Sequence, residues 1–169
     1  FVGSAVVTAQ YAVAANLNTQ LPPTTTGDSA TNPARVGTST GVLDPDNTLY
    51  FTQVMKEIGA ASVGYFNSYI AVQNTSATNT ATITVKYYNF SDGAEVVAAR
   101  QTGLTIAPNS TRIIRQSENA GLANMWQGTC VVTGDQPLAG IANFYNSGAT
   151  EDTKSQFNSY NAFTAGATK

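Results

Sequence analysis

Apolar and polar residues alternate along many short stretches of the chain, and this period of two predicts β-strands. The clearest stretch is ATITVKYY, in which Ile83, Val85 and Tyr87 share one face while threonine and lysine occupy the other. SYIAVQN places Ile70 and Val72 together on one face in the same way. No stretch of comparable length has the period of an amphipathic helix.

Turn-forming residues separate these stretches at NFSDG, APNS and GDQP, so the strands are expected to be short and antiparallel. GDQP is predicted to join the last two strands, GTCVVTG and PLAGIANFY, as a hairpin. Seven or eight such strands predict an all-β antiparallel sandwich of the immunoglobulin-like or jelly-roll-like kind. The predicted core residues are Ile70, Val72, Ile83, Val85, Tyr87, Leu104, Ile106, Val131 and Leu138.

The first 18 residues repeat this last predicted hairpin at a distance of 125 residues. The identical positions are Gly3, Val6, Val7, Thr8, Ala14 and Asn18, which match Gly128, Val131, Val132, Thr133, Ala139 and Asn143. A chance overlay would match about one or two positions, so the similarity indicates a repeated structural unit. The sequence therefore predicts an N-terminal β-hairpin that duplicates the closing strands of the domain.

Four segments follow from these patterns. Residues 1–18 are predicted to form the N-terminal hairpin, donated to a neighbouring copy, and residues 19–47, rich in Thr, Pro, Gly and Ser, an extended linker. Residues 48–146 are predicted to form the sandwich, and residues 147–169 an extended C-terminal tail. Since there is no initiator Met and no signal-peptide pattern, we expect a mature, processed chain.

The composition excludes several classes of function. Charged residues make up 11% of the chain and the net charge is −2, so no basic surface is available for nucleic acid. No apolar run reaches the roughly 18 residues needed to span a bilayer, and no membrane insertion is expected. The chain has no histidine, which removes the commonest general base and metal ligand.

Candidate chemistry is sparse, and no catalytic residue, metal site or cofactor is predicted. The glutamates lie on separate segments and form no recognisable pair for glycoside hydrolysis: Glu57, Glu95, Glu118 and Glu151. Asp44, Asp46 and Asn47 offer oxygens that calcium accepts, but an ordinary turn before a strand explains them better. Cys130 lies in a β-branched run, where a small buried residue is expected.

Two kinds of carbohydrate chemistry remain open. The sequons at Asn74, Asn89 and Asn109 fall at predicted turns and are candidate glycosylation sites. Aromatic residues could form a sugar-binding platform, and the candidates are Trp126, Tyr65, Phe66 and Tyr69. Because Trp126 matches Phe1 at a strand start, packing is the expected role of that side chain.

The stretches FVGSAVVT, GDQPLAGIAN, YIAVQNTSATNTATITVKYYNFSDG and IAPNSTR resemble the tandem β-sandwich repeats of long secreted surface proteins of filamentous bacteria. The resemblance covers most of residues 48–146, residues 1–18 and the short SYNAF. It implies a β-sandwich and an extracellular, cell-surface location, and it carries over no catalytic residue.

We therefore expect a structural subunit of an extracellular filament or surface layer, assembled by strand exchange or addition into a head-to-tail homopolymer. The partner is the protein itself, and a cell-surface glycan is a further candidate. The residues expected at the contact between subunits are Phe1, Val2, Val6, Val7, Tyr11, Val13 and Leu17. The alternatives are an excerpt of a tandem-repeat surface adhesin and a carbohydrate-binding module.

Overall fold

A computed structural model gives the fold of the protein. The residues that it describes are Ala5, Val7 and residues 16–21, 35–42, 44–62, 64–146 and 157–165.

The chain is all-β, and its strands are antiparallel. In chain order they are β1 (Asn16–Leu21), β2 (Arg35–Thr40), β3 (Asp46–Lys56), β4 (Ile58–Ala60), β5 (Gly64–Asn74), β6 (Ala81–Asn89), β7 (Gln101–Ile106), β8 (Thr111–Arg115), β9 (Trp126–Asn146), β10 (Phe157–Asn161) and β11 (Phe163–Thr164). Single 3-10 turns at Val97–Ala99 and Gln116–Glu118 are the only helical elements among the described residues.

Strand β9 organises the sandwich because its two halves have different neighbours. The first half pairs with β3 on one edge and with β6 on the other. The second half pairs with β5 and with β10. Strand β7 extends the first sheet beyond β6, and β8 extends the second beyond β5. A single strand of 21 residues thus belongs to both groups of strands, which we call the first and second sheets and which β9 joins by hydrogen bonds into one nine-stranded sheet.

The same side of β9 faces the core along its whole length, where Cys130, Val132, Leu138 and Ala142 are buried. Most of the predicted core is confirmed: Ile70, Val72, Ile83, Val85, Tyr87, Ile106 and Leu138 are buried. Leu104 is only partly buried, although it packs against the core. Val131 was wrongly placed in the core, because its neighbours Cys130 and Val132 hold the inward positions of this strand.

The predicted hairpin around GDQP is wrong, since β9 continues through these residues without reversing. Contacts made by other strands hold the segment extended. The Asp135 carboxylate accepts a 2.7 Å hydrogen bond from the Thr82 amide, and the Pro137 carbonyl accepts one of 3.0 Å from the Thr75 amide. This stretch is therefore the point where β9 passes from one sheet to the other.

Two predicted segment boundaries also need correction. The segment 19–47, expected to be an extended linker, contains most of the antiparallel pair β1–β2 and the start of β3. The C-terminal tail contributes β10 and β11, which pair with β9 and β3. Most of the hairpin predicted for residues 1–18 lies outside the described residues.

Candidate functional site

The pair β1–β2 resembles the pair β9–β10, since both pairs are antiparallel and β1 lies at the repeat distance from the second half of β9. Adding the repeat distance of 125 to Asn16 gives Ile141; Asn16 lies opposite Thr40, and Ile141 lies opposite Asn161. The partner strands do not share this distance, because Thr40 follows Asn16 by 24 residues and Asn161 follows Ile141 by 20, so the connection in the N-terminal pair is four residues longer. We call β9–β10 the closing pair and residues 1–40 the N-terminal copy.

The two copies differ in what covers their apolar side chains. Val132 is completely buried in the sandwich, whereas its counterpart Val7 is 64% exposed. Cys130 is also completely buried, whereas its counterpart Ala5 is exposed. Burying a valine side chain contributes about 1.5–3 kcal/mol. The N-terminal copy therefore has apolar positions that its own sandwich does not cover.

One repeated glycine has a clear structural reason. A Cβ atom on Gly128 would lie 2.0 Å from the carbonyl oxygen of Tyr88, on the neighbouring strand β6. Only glycine fits at such a close approach of two backbones. The N-terminal copy keeps glycine at the matching position, Gly3. The repeat thus preserves a requirement that arises from the neighbouring strand.

At two neighbouring positions the copies have different side chains, and the two changes compensate for each other. A Cβ atom on Gly134 would lie 2.9 Å from Leu138 Cδ1 and 3.2 Å from Ile83 Cγ2. The N-terminal copy has Ala9 and Val13 in place of this glycine and leucine. Because valine has no δ carbon, the smaller side chain leaves room for the added methyl group. The two changes together preserve the volume of the site.

The edge of the N-terminal copy lies beside the edge of the sandwich. The Asn161 side-chain amide on β10 donates to the Thr40 carbonyl oxygen at 2.7 Å and to the Thr40 hydroxyl at 2.9 Å. Thr40 and Asn161 occupy equivalent places in the two ladders. The N-terminal copy therefore contacts β10 of its own chain.

The structure describes two of the seven residues predicted at the contact between subunits. Val7 is exposed, and Leu17 lies on β1. The other five fall outside the described residues: Phe1, Val2, Val6, Tyr11 and Val13. By the repeat, Val6 matches the outward-facing Val131, so Val7 is the residue that matches a core position.

The three candidate glycosylation sites lie in different environments. Asn74 is completely buried, and its side-chain amide donates to the carbonyl oxygens of Asn79 at 2.7 Å and Ile106 at 3.0 Å. This environment leaves no room for a glycan, so Asn74 was wrongly proposed. Asn89 is partly buried and accepts a 2.9 Å hydrogen bond from the Trp126 indole. Asn109 is exposed at a turn and stays a candidate.

We expect Asn74→Ala to lower the free energy of unfolding by about 3 kcal/mol, because buried carbonyl oxygens lose their donor. Asn109→Gly is the matched control: Asn109 has a φ of 55°, which glycine adopts freely, so the loss should stay below about 1 kcal/mol. Urea denaturation measures both values. Equal losses, or a glycan found on Asn74, would contradict this assignment.

The aromatic candidates do not form one platform. Trp126 packs edge-on against Tyr87 with ring centroids 5.9 Å apart, as expected for a packing role. On β5, Tyr65 is exposed, whereas Tyr69 lies 6.2 Å from the Tyr145 ring. Phe66 is partly buried on the same strand. Trp126 therefore packs within the sandwich, which weakens the alternative of a carbohydrate-binding module.

The ionisable groups have local structural partners. Arg100 donates a 2.6 Å hydrogen bond to Glu95 and thereby lowers the pKa of that carboxyl group. Arg115 lies 3.7 Å from Glu118, and Asp46 accepts a hydrogen bond from the Thr48 amide. Burial raises the pKa of the Cys130 thiol, which keeps it protonated and unreactive.

The described residues contain no group of three or more His, Cys, Asp or Glu side chains that could hold a metal ion. In the same part of the chain, no helix is long and apolar enough to cross a membrane.

Comparisons with known proteins support the fold. The crystal structure of Thermotoga maritima 1070 superposes with a TM-score of 0.57 at 12% identity, covering 72% of this chain and 96% of that chain. The Anabaena sensory rhodopsin transducer gives a TM-score of 0.44 at 14% identity, covering 59% of this chain and 97% of that chain. No protein-family model and no curated protein sequence matches the chain. The first likeness shows a shared fold.

Proposed function

We propose that this chain is a structural building block of an extracellular filament or surface layer, in which neighbouring sandwiches are joined by strand exchange or addition. One observation carries the proposal: the N-terminal copy duplicates the closing pair, although the sandwich already contains both closing strands. The duplicate is not needed by its own sandwich and is available to a neighbour.

The driving force is the burial of apolar side chains. Val7 is 64% exposed, and by the repeat Val13 and Leu17 also match buried positions, those of Leu138 and Ala142. Each such aliphatic side chain contributes about 1.5–3 kcal/mol when it moves from water into a core. Backbone hydrogen bonds along both edges of the added strand increase the specificity of the contact.

The surface chemistry fits a structural role outside the cell. Charged residues make up only 11% of the chain, and the resemblance to secreted surface proteins of filamentous bacteria points to the same location. Cys130 is buried and protonated, and Glu95 and Glu118 lie beside arginines. The described residues thus favour a structural protein over an enzyme.

Electron microscopy of the purified full chain tests the proposal. We expect the full chain to form filaments or sheets, and a variant lacking residues 1–40 to remain a folded monomer, because β3–β11 supply the whole sandwich. The same filaments from the truncated chain would contradict the proposal.

Two point variants test whether assembly depends on the N-terminal copy itself or only on the polarity of the exposed surface. Val7 and Val97 are 64% and 63% exposed, so aspartate at either position adds the same charge to an equally open site. We expect Val7→Asp to abolish assembly and Val97→Asp to leave it intact, as measured by sedimentation velocity. Equal effects of the two substitutions would show that assembly does not depend on the N-terminal copy.

The length of the native polypeptide decides between separate subunits and an excerpt of a tandem-repeat adhesin. Mass spectrometry of native material would show a chain long enough for only one sandwich if separate subunits exchange strands. A much longer chain would place the exchange between consecutive sandwiches of one polypeptide.

A further inference from the structure

We infer that the N-terminal copy is a second closing pair, which fits strands β3, β5 and β6 of an adjoining sandwich of the same kind in the register that β9 uses. We call these three strands the receiving strands. The inference rests on the proposed function and makes it specific, because it names the partner and the pairing.

The repeat distance gives the register on the first sheet. Val132 lies opposite Leu49 on β3 and Val85 on β6, and all three side chains are completely buried. Subtracting 125 from Val132 gives Val7. Val7 therefore belongs between a Leu49 and a Val85 that come from another sandwich.

The register on the second sheet follows in the same way. Ala142 lies opposite Ile70 on β5, and Leu138 lies opposite Asn74 on the same strand. The counterparts of Ala142 and Leu138 in the N-terminal copy are Leu17 and Val13. The strand that follows is antiparallel in both cases, since β2 pairs with β1 and β10 with the second half of β9, although the connection before β2 is four residues longer.

The close contacts around β9 show why a strand of this sequence, and not simply any apolar strand, is required. Gly3 meets the need for glycine beside the Tyr88 carbonyl oxygen, which a Cβ atom on Gly128 would approach to 2.0 Å. Ala9 is larger than its counterpart Gly134 and Val13 is smaller than its counterpart Leu138, so the two side chains together fill the same space. The sequence of the N-terminal copy therefore satisfies the packing that strands β3, β5 and β6 require of β9.

Each chain thus carries two closing pairs for one set of receiving strands, so the two pairs compete. Disabling one pair should allow the other to take its place, either within the chain or between chains. Cys130 reports which pair is in place, since its side chain is completely buried only while β9 fills the core.

The test uses the full chain with Val132→Asp, with Val7→Asp and with both substitutions. A charge at either position excludes that copy from an apolar core. Val132→Asp in a chain lacking residues 1–40 is the control, and it should be unfolded because no closing pair remains. Thermal unfolding followed by circular dichroism reports the fold, and the rate of reaction of Cys130 with a thiol reagent reports the position of β9.

We expect Val132→Asp alone to keep a cooperative transition while Cys130 reacts faster than in the wild type, on the order of 100-fold. The double variant should lose the transition, and Val7→Asp should unfold, and react at Cys130, as the unassembled wild-type chain does. Sedimentation then shows whether the replacing copy comes from the same chain or from a second one, and either origin supports the inference.

Two results would overturn the inference. Either Val132→Asp and the double variant unfold alike, or Val132→Asp stays folded with Cys130 still protected. In both cases residues 1–40 cannot replace the closing pair. The deletion experiment on filaments is independent of this test, since filaments could still form by addition of the N-terminal copy to a free sheet edge.

Discussion

Gly128→Ala should lower the free energy of unfolding by at least about 3 kcal/mol, because its Cβ atom would lie 2.0 Å from the Tyr88 carbonyl oxygen. The contact is with backbone of the paired strand β6, so a simple side-chain rotation cannot relieve it. Gly103→Ala is the control: Gly103 has a φ of +68° and nothing within 4 Å of an added Cβ, so only backbone strain of about 1 kcal/mol is expected.

Guanidinium denaturation measures both variants, and equal losses would show that the close approach to Tyr88 does not matter. The same substitution at Gly3 gives a different expectation. Gly3→Ala should leave the stability of the sandwich unchanged and weaken assembly, because the matching carbonyl oxygen belongs to the adjoining sandwich. A loss of stability without any change in assembly would contradict the assignment of the N-terminal copy.

Phe51→Ala should lower the free energy of unfolding by about 3–5 kcal/mol, since Phe51 is completely buried and its ring lies beside Gly140 of β9. Phe90, which is 47% exposed, provides the control, and Phe90→Ala should change stability by less than about 1 kcal/mol. Thermal unfolding gives both values. Similar shifts for the two phenylalanines would contradict the position of the core.

A double-mutant cycle tests the local geometry at this place. A Cβ atom on Gly140 would lie 2.8 Å from Phe51 Cζ, so Gly140→Ala alone should be destabilising by about 1–3 kcal/mol. In the Phe51→Leu background the added methyl group should be tolerated better, with a coupling of about 1 kcal/mol. Additive effects would show that the ring does not occupy the space beneath Gly140.

The fold class could be predicted because period-two alternation is a local property of strands that bury one face. ATITVKYY shows this most directly: Ile83, Val85 and Tyr87 are all buried in the structure, as their spacing predicts. The inward face of β9 was harder to predict. Cys130, Val131 and Val132 are consecutive apolar residues, and their order alone does not show which of them point into the core.

The course of β9 could not be predicted from local signals. GDQP has the composition of a turn, yet hydrogen bonds from Thr82 to Asp135 and from Thr75 to Pro137 hold it extended between two sheets. These partners come from distant parts of the chain. Tertiary contacts here override a local preference, and a hairpin prediction was the natural error.

The strands of the N-terminal copy and of the tail were missed for a related reason. Strands β1, β2 and β10 are polar and have no clear alternation, so nothing local separates them from linker sequence. The site was nevertheless partly visible, because the repeat of residues 126–143 in residues 1–18 can be read from the sequence. The antiparallel pairing of β1 with β2, which resembles that of β9 with β10, is visible only in the structure.

The burial of Asn74 was equally invisible in the sequence. A sequon at the end of a strand is a favourable site for a glycan by composition, and Asn74, Asn89 and Asn109 look alike in that respect. Their difference arises from the carbonyl oxygens that the fold places around Asn74. Burial of a polar side chain depends on partners that are distant in sequence.

The central claim is that residues 1–40 close an adjoining sandwich, and electron cryomicroscopy of the assembled protein tests it most directly. The account predicts that residues 1–21 take the place of β9 in a neighbouring sandwich and pair with its β3, β6 and β5, with Val7 buried between the counterparts of Leu49 and Val85. An assembly in which Val7 remains in solvent, with every sandwich closed by its own β9, would contradict it.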